Sequence, residues 1–117
     1  MMDMWISFGD GFLLLFAIND IESFEALKGK YNRIMKQKHN EKVPVVLVGN
    51  KIDLENERRV LYQEAKELAN SWGAEYFEIS VKTNYNIREP ILKLAQEIIK
   101  IKYPEKKKIV KFVRYFN

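Results

Sequence analysis

Two uninterrupted apolar runs constrain the fold of this chain more than any other feature. Residues 11–18 read Gly-Phe-Leu-Leu-Leu-Phe-Ala-Ile, and residues 43–49 read Val-Pro-Val-Val-Leu-Val-Gly. Neither run alternates between apolar and polar side chains, and this pattern is typical of strands that are covered on both faces, as in parallel sheets. The two runs therefore predict an α/β domain with a buried sheet.

The segments around these runs have the periodicity of helices. Between them, Asp20 and Ser23 mark a helix start, and apolar residues recur at helical spacing until the polar residues from Lys36 onward. A second apolar stripe begins at about Leu61 and ends at Gly73. These stripes contain Ile21, Phe24, Leu27, Tyr31, Ile34 and Met35 in the first helix, and Ala65, Leu68, Ala69 and Trp72 in the second.

The last third of the chain continues the same alternation. Residues 76–79 form a short strand, and a final helix starts near Asn86, which with Glu89 resembles a capping box. The helix carries an apolar stripe of Ile91, Leu94, Ala95, Ile98 and Ile99. Three strands alternating with three helices predict a three-layer fold, in which a parallel sheet with right-handed crossovers has helices on both faces.

Composition limits the possible classes of protein. The 117 residues are 47% hydrophobic and 31% charged, which suits one small domain with a modest core. No apolar run approaches the length of a membrane helix, and the absence of cysteine excludes disulfides and thiolate metal sites. The only histidine, His39, lies in a polar run and is interpreted as a solvated loop residue. We expect a cytoplasmic protein.

Positive charge is concentrated in the C-terminal tail. Residues 100–117 carry a net charge of +6, which leaves −2 for residues 1–99 because the whole chain has +4. A mildly acidic body argues against binding of nucleic acid. The tail, residues 103–117, combines Lys106, Lys107 and Lys108 with apolar and aromatic residues, so contact with an anionic membrane is one hypothesis and a disordered tail is the other.

Two polar tetrads follow two of the predicted strands. Asn50-Lys51-Ile52-Asp53 comes after the second apolar run, and Ser80-Val81-Lys82-Thr83 comes after the third strand. In parallel α/β sheets, ligands bind outside the carboxyl ends of the strands. Guanine presents an N1–H and an N2 amino group side by side, and the Asp53 carboxylate can accept from both. The tetrads therefore predict a guanine-base pocket.

Six residues of the tetrads have expected roles, including Asp53 as the acceptor from the base. Asn50 braces the loop or accepts from the base edge, Ser80 orients Asp53, and the Val81 backbone N–H donates to the guanine carbonyl. The aliphatic stems of Lys51 and Lys82 cover the faces of the base. The alternative is ordinary loop chemistry, since an Asn-x-x-Asp turn after a strand is common.

The motifs also carry a resemblance to a known family. They are residues 9–24 (GDGFLLLFAINDIESF), residues 45–53 (VVLVGNKID) and residues 78–83 (EISVKT). Over residues 9–102 the chain resembles the C-terminal half of a Ras-family small GTPase. The resemblance implies a partial P-loop NTPase fold, a signalling role, binding of GTP and GDP, and effector or regulator partners. It implies guanine-binding roles for Asn50, Lys51, Asp53, Ser80, Val81 and Lys82.

The departures from the family pattern are equally specific. The chain has no G-x-x-x-x-G-K-[ST] phosphate loop and no D-x-x-G turn, and residues 1–8 do not resemble the expected segment. The family implies Mg²⁺, but its ligands are absent here, and Val81 replaces the usual alanine. Phosphate positioning, metal and an oriented water are all needed for hydrolysis. We therefore expect no catalytic residues, no metal ligands and no GTP hydrolysis by this chain.

The same departures have consequences for association. Without a phosphate-loop strand, the strand from Phe12 to Ile18 becomes an exposed apolar edge that promotes self-association, unless residues 1–8 cover it as a substitute strand. Family members anchor through a prenylated C-terminal cysteine, which this chain lacks, so peripheral attachment to the inner face of the plasma membrane would depend on the tail.

Three hypotheses remain open from the sequence. The chain is the base-recognition half of a GTPase whose phosphate loop lies upstream, or a non-catalytic truncated module that binds partners of a full-length GTPase, or a fragment without function. The first predicts in-frame coding sequence before Met1.

Overall fold

The computed structural model describes residues 5–8, 10–39 and 41–103, with only the backbone described for residues 5–8. Along the chain the elements are β1 (Trp5–Phe8), β2 (Gly11–Ala17), α1 (Ile21–Gln37), β3 (Val45–Asn50), a 3-10 helix (Ile52–Glu57), α2 (Tyr62–Ser71), β4 (Glu75–Glu78) and α3 (Arg88–Lys102). The three predicted strands and three predicted helices are all present. The 3-10 helix occupies a segment for which the sequence predicted only a turn.

The strands form one sheet in the order β1-β2-β3-β4. β2, β3 and β4 are mutually parallel, as predicted, and β2 pairs with β3 from Phe12↔Val45 to Ala17↔Asn50. β1 is antiparallel to β2, so the sheet as a whole is mixed.

Helices cover both faces of the sheet, which confirms the three-layer α/β architecture. On one face, Leu14 and Phe16 of β2 pack in a cluster with residues of α1 and α2, including Leu27 and Ala69. On the other face, Leu13 packs with residues of β3 and with Leu94 of α3. Alternate side chains of a strand point to opposite faces, so an uninterrupted apolar run supplies both cores.

The predicted exposed edge from Phe12 to Ile18 is covered in part, since β1 pairs with Phe12 to Leu14 of this stretch. β1 pairs with β2 from Trp5↔Leu14 to Phe8↔Gly11, so the substitute strand that the sequence offered as the alternative is present for residues 5–8. Unpaired backbone groups along an apolar strand are unfavourable, and β1 pairs with the first part of β2, from Gly11 to Leu14. Self-association through this edge is therefore not supported. Residues 1–4 lie outside the described residues.

The helix starts separate a correct prediction from an incorrect one. Asp20 caps α1, and its carboxylate accepts from the backbone N–H groups of Glu22 and Ser23 at 3.1 and 3.2 Å. The predicted capping box of Asn86 and Glu89 is wrong, because α3 begins at Arg88 without a side-chain cap. Asn86 instead has a positive φ of 58°, and its side-chain amide donates to the carbonyl oxygen of Glu78 at 3.1 Å.

Some predicted stripe residues are more exposed than expected. Ile21 in the first turn of α1 is 50% exposed, and Ala95 of α3 is exposed, whereas the polar Gln96 beside it is buried. Within the residues that the structure describes, no helix combines the length and apolar character needed to cross a membrane. The tail with Lys106, Lys107 and Lys108 lies outside those residues, so its membrane hypothesis stays a prediction.

Gly49 lies at the point of closest approach between β3 and its neighbours. A Cβ atom at this position would meet the Tyr76 hydroxyl and the ring of Phe16. The Tyr76 hydroxyl donates a hydrogen bond to Glu78 at 2.5 Å, and it would lose this bond if it moved away from an added methyl group. Gly29, in the middle of α1, has open space around its Cα atom.

We predict opposite effects of alanine at the two glycines. Gly49→Ala lowers the free energy of unfolding by about 1–3 kcal/mol because the added methyl group overpacks the core. Gly29→Ala raises it by roughly 0.5–1 kcal/mol because alanine is the better helix former. Urea denaturation measures both, and a Gly49→Ala variant as stable as the wild type would contradict the close approach.

Candidate functional site

The two tetrads lie side by side at the carboxyl edge of the sheet. Asn50 is the last residue of β3, and Ser80 lies two residues beyond the end of β4. The backbone continues the pairing beyond β4, since the Ile79 N–H donates to the Gly49 carbonyl at 2.8 Å and the Ile52 N–H donates to the Ile79 carbonyl at 3.2 Å. The structure thus brings together the loops that the sequence predicted to meet.

A hydrogen bond from Ser80 to Asp53 joins the two loops. Ser80 is fully buried, and its hydroxyl donates to Asp53 Oδ1 at 2.7 Å and accepts from the Thr83 N–H at 3.1 Å. Asp53 is exposed, and its Oδ2 has no hydrogen-bond partner among the described residues. The carboxylate is therefore oriented through one oxygen while the other is available to a ligand.

Asn50 forms a second connection between the loops. Its Oδ1 accepts from the N–H of Lys51 at 2.7 Å and from the N–H of Val81 at 3.1 Å. The Val81 N–H donates to Asn50 in this structure, and its expected donation to a guanine carbonyl stays a prediction. The predicted bracing of the loop by Asn50 is present, and its side-chain nitrogen has no partner in the described ranges.

The two lysines of the tetrads are exposed. Lys51 adopts a left-handed conformation with φ 70°, which turns the chain from β3 into the 3-10 helix, and the Leu54 N–H donates to its carbonyl oxygen at 2.8 Å. Left-handed backbone is uncommon for residues other than glycine and is often found at functional sites. Coverage of a base by the stems of Lys51 and Lys82 stays a prediction.

Sequence reasoning missed a cluster of polar side chains beside the site. The Arg58 guanidinium contacts Glu78 with nitrogen–oxygen distances of 2.8 and 3.0 Å, Glu55 at 2.7 Å and the Val60 carbonyl at 2.9 Å. Glu78 also accepts from the Tyr76 hydroxyl. The sequence signal for this cluster was Glu78, a glutamate within the predicted short strand 76–79. A carboxylate that is removed from water in a strand needs a partner, and this could have predicted a nearby cation.

These contacts shift the pKa values of the cluster. The hydrogen bonds that Arg58 donates to Glu78 and then to Glu55 raise the pKa of Arg58, and the bond from Arg58 lowers the pKa of the Glu55 carboxyl. Burial, followed by the bond to Glu78, raises the pKa of the Tyr76 hydroxyl. Arg58 and Glu55 therefore stay charged and Tyr76 stays neutral around neutral pH.

Two surface cavities lie at the other end of the sheet. Their volumes are about 210 and 150 Å³, and both are lined by Lys42, Val43, Pro44 and Ile101. Neither includes a residue of the tetrads. Within the described ranges, no three histidine or acidic side chains are grouped to hold a metal ion.

Comparison with known proteins points to one family. A family model described as the Ras family matches residues 1–100. The chain is also similar to Protein ras-1 of Neurospora crassa, with 41% identity over 100 residues, which are 86% of this chain and 47% of that protein. The chain thus spans about half the length of this relative.

We predict that Ser80→Ala destabilises the chain by about 1–3 kcal/mol, because a buried hydroxyl bonded to a carboxylate is lost. Ser71→Ala is the matched control, since the Ser71 hydroxyl is exposed and donates only to the Leu68 carbonyl at 2.6 Å. The control should change stability by no more than about 0.5 kcal/mol. Urea denaturation compares the two variants, and equal losses would argue against the role of Ser80 as the link between the loops.

Proposed function

Because the chain belongs to the Ras family, we propose that its two tetrads recognise the guanine base of GTP and GDP in a signalling GTPase. The supporting observation is the 2.7 Å hydrogen bond from the buried Ser80 hydroxyl to Asp53, which orients a carboxylate at the carboxyl edge of the sheet. A carboxylate held in this way has one oxygen ready to accept from a base. The proposed fit of guanine to the two loops therefore rests on the hydrogen-bond donors and acceptors that the loops present.

Asp53 supplies the selectivity in this proposal. Its carboxylate accepts from the N1–H and N2 amino groups of guanine, a pair of donors that adenine lacks. Hydrogen bonds to a charged group contribute about 1.5–3 kcal/mol, which corresponds to a preference of tenfold or more. The side-chain oxygen of Asn50 already braces the loop by accepting from the Val81 N–H. The side-chain nitrogen of Asn50 is available to donate to guanine N7 or O6.

Base contacts alone give weak binding. Guanine has about eleven heavy atoms, and at roughly 0.3 kcal/mol per atom these yield about 3 kcal/mol, which is a millimolar dissociation constant. Tight binding and hydrolysis depend on phosphate and Mg²⁺ contacts, for which the 117 residues carry no recognised motif. We therefore propose that this chain selects the base and releases no phosphate from GTP by itself, as a phosphate-release assay would measure.

We predict that Asp53→Asn changes the preferred base from guanine to xanthine. Xanthine has a carbonyl group in place of the guanine 2-amino group, and the asparagine amide can donate to it. The measurement is an NMR titration of ¹⁵N-labelled protein with GMP, AMP and XMP, in which the shifts of the Val81 and Thr83 amide signals give the dissociation constants. Wild type should prefer GMP over AMP, and the variant should prefer XMP over GMP by about tenfold.

Asp20→Asn is the control for this experiment. Asp20 is also exposed, and asparagine caps a helix about as well as aspartate, so base preference should not change. Wild-type protein that is folded but equally indifferent to all three nucleotides would contradict the base site. It would favour the alternative of a non-catalytic module that binds partners of a full-length GTPase.

The finer proposal on localisation concerns the tail. We propose that Lys106, Lys107 and Lys108 hold the protein on an anionic membrane, each lysine contributing roughly 1 kcal/mol near the surface. We predict that truncation after Lys102 abolishes cosedimentation with phosphatidylserine vesicles and that high salt weakens binding of the full chain. Phosphatidylcholine vesicles are the control, and equal binding by both chains would contradict a role of the tail.

A further inference from the structure

The cluster of Arg58, Glu55, Glu78 and Tyr76 is the part of this end of the molecule that base recognition does not use. Arg58 is the fifth residue after Asp53, and Glu78 is two residues before Ser80. The cluster therefore joins the same two segments as the Ser80–Asp53 hydrogen bond. It does so at a second place, through bonds in which both the donor and the acceptor are charged.

Arg58 and Glu78 are largely removed from solvent. Their side chains are 13% and 16% exposed, whereas Glu55 on the outer side is 62% exposed. Screening by water and salt is weak for such a pair, unlike for ion pairs on the surface. Two guanidinium nitrogens contact the two Glu78 oxygens, so the pair fixes orientation as well as distance.

Glu78 is the centre of this cluster. Its carboxylate accepts from Arg58 and from the Tyr76 hydroxyl, and its backbone carbonyl accepts from the Asn86 side chain. Arg58 in turn closes the 3-10 helix, since its backbone N–H donates to the Glu55 carbonyl at 3.1 Å. The segment after Asp53 is thereby attached to the strand that leads to Ser80.

We propose that Arg58 and Glu78 are positioning residues that hold the Asp53 loop against the Ser80 loop and thereby set the affinity for guanine. The claim about guanine affinity rests on the proposed function, whereas the claim that these residues hold the loops together does not. Without Arg58, the loops are joined by the Ser80–Asp53 and Asn50–Val81 bonds and by the backbone bond from Ile52 to Ile79, and none of these contacts Glu78. A small displacement then misaligns the Asp53 carboxylate for two simultaneous hydrogen bonds.

The test compares Arg58→Gln with wild type by amide hydrogen exchange without nucleotide. The Val81 N–H donates to Asn50 and the Ile52 N–H donates to the Ile79 carbonyl, each from one of the two segments to the other, so their exchange reports the closed arrangement. We expect both amides to exchange about tenfold faster in the variant, while Leu47 and Val48 in β3 change less. Equal acceleration in β3 and the loops, or none in the loops, would overturn the proposal.

Two further variants keep the result decisive. Glu97→Gln removes the ion pairs with Lys93 and Lys100 on α3, away from the tetrads, and should leave loop exchange unchanged. Arg58→Lys retains the charge but not the two-pronged contact, and should restore part of the protection even if Arg58→Gln folds poorly. Loops as well protected in Arg58→Lys as in wild type would contradict orientation by the guanidinium, because a positive charge alone would then be sufficient.

Titration with GMP separates this proposal from the proposed function. If wild type prefers GMP over AMP, Arg58→Gln should weaken GMP binding by about tenfold while Glu97→Gln does not. Unchanged GMP affinity in a variant with opened loops would overturn the inference. If wild type shows no preference for GMP, the proposed function fails, and amide exchange still decides whether Arg58 holds the loops together.

Discussion

The parallel pairing of β2 and β3 is the constraint on which the rest of this structure depends. The two strands pair over six residues, from Phe12↔Val45 to Ala17↔Asn50, and both are apolar on both faces. Parallel pairing requires a crossover, which α1 provides, and it places the carboxyl ends of neighbouring strands at one edge. The position of the candidate site follows from that geometry.

Several polar side chains at this edge are buried or largely buried, and they are bonded to one another. Ser80 is completely buried there, yet its hydroxyl is fully bonded, and Arg58 and Glu78 satisfy each other nearby. A buried ion pair contributes little net stability, since desolvation offsets the attraction between the charges. Its value in this fold is geometric, because a two-pronged contact allows one relative position of the segments that carry it.

Local sequence patterns predicted the strands and helices correctly, but they predicted the cap of the last helix wrongly. The uninterrupted apolar runs predicted β2 and β3, and Asp20 predicted the start of α1. Asn86 followed by Glu89 had the form of a capping box, yet the Asn86 side chain bonds to Glu78, eight residues earlier in the chain. A capping rule considers neighbours in sequence, whereas this partner is near only after β4 and α3 have packed together.

Sequence alone determined the α/β class, the order of the elements and the identity of the two tetrads, because periodicity and local polar signals are properties of adjacent residues. Tertiary structure decided the antiparallel addition of β1, the capture of the Val81 N–H by Asn50 and the contact of Arg58 with Glu78. The last contact joins residues 20 positions apart. Such pairings depend on which backbone and side-chain groups lack a partner once the sheet has formed, and no local pattern contains that information.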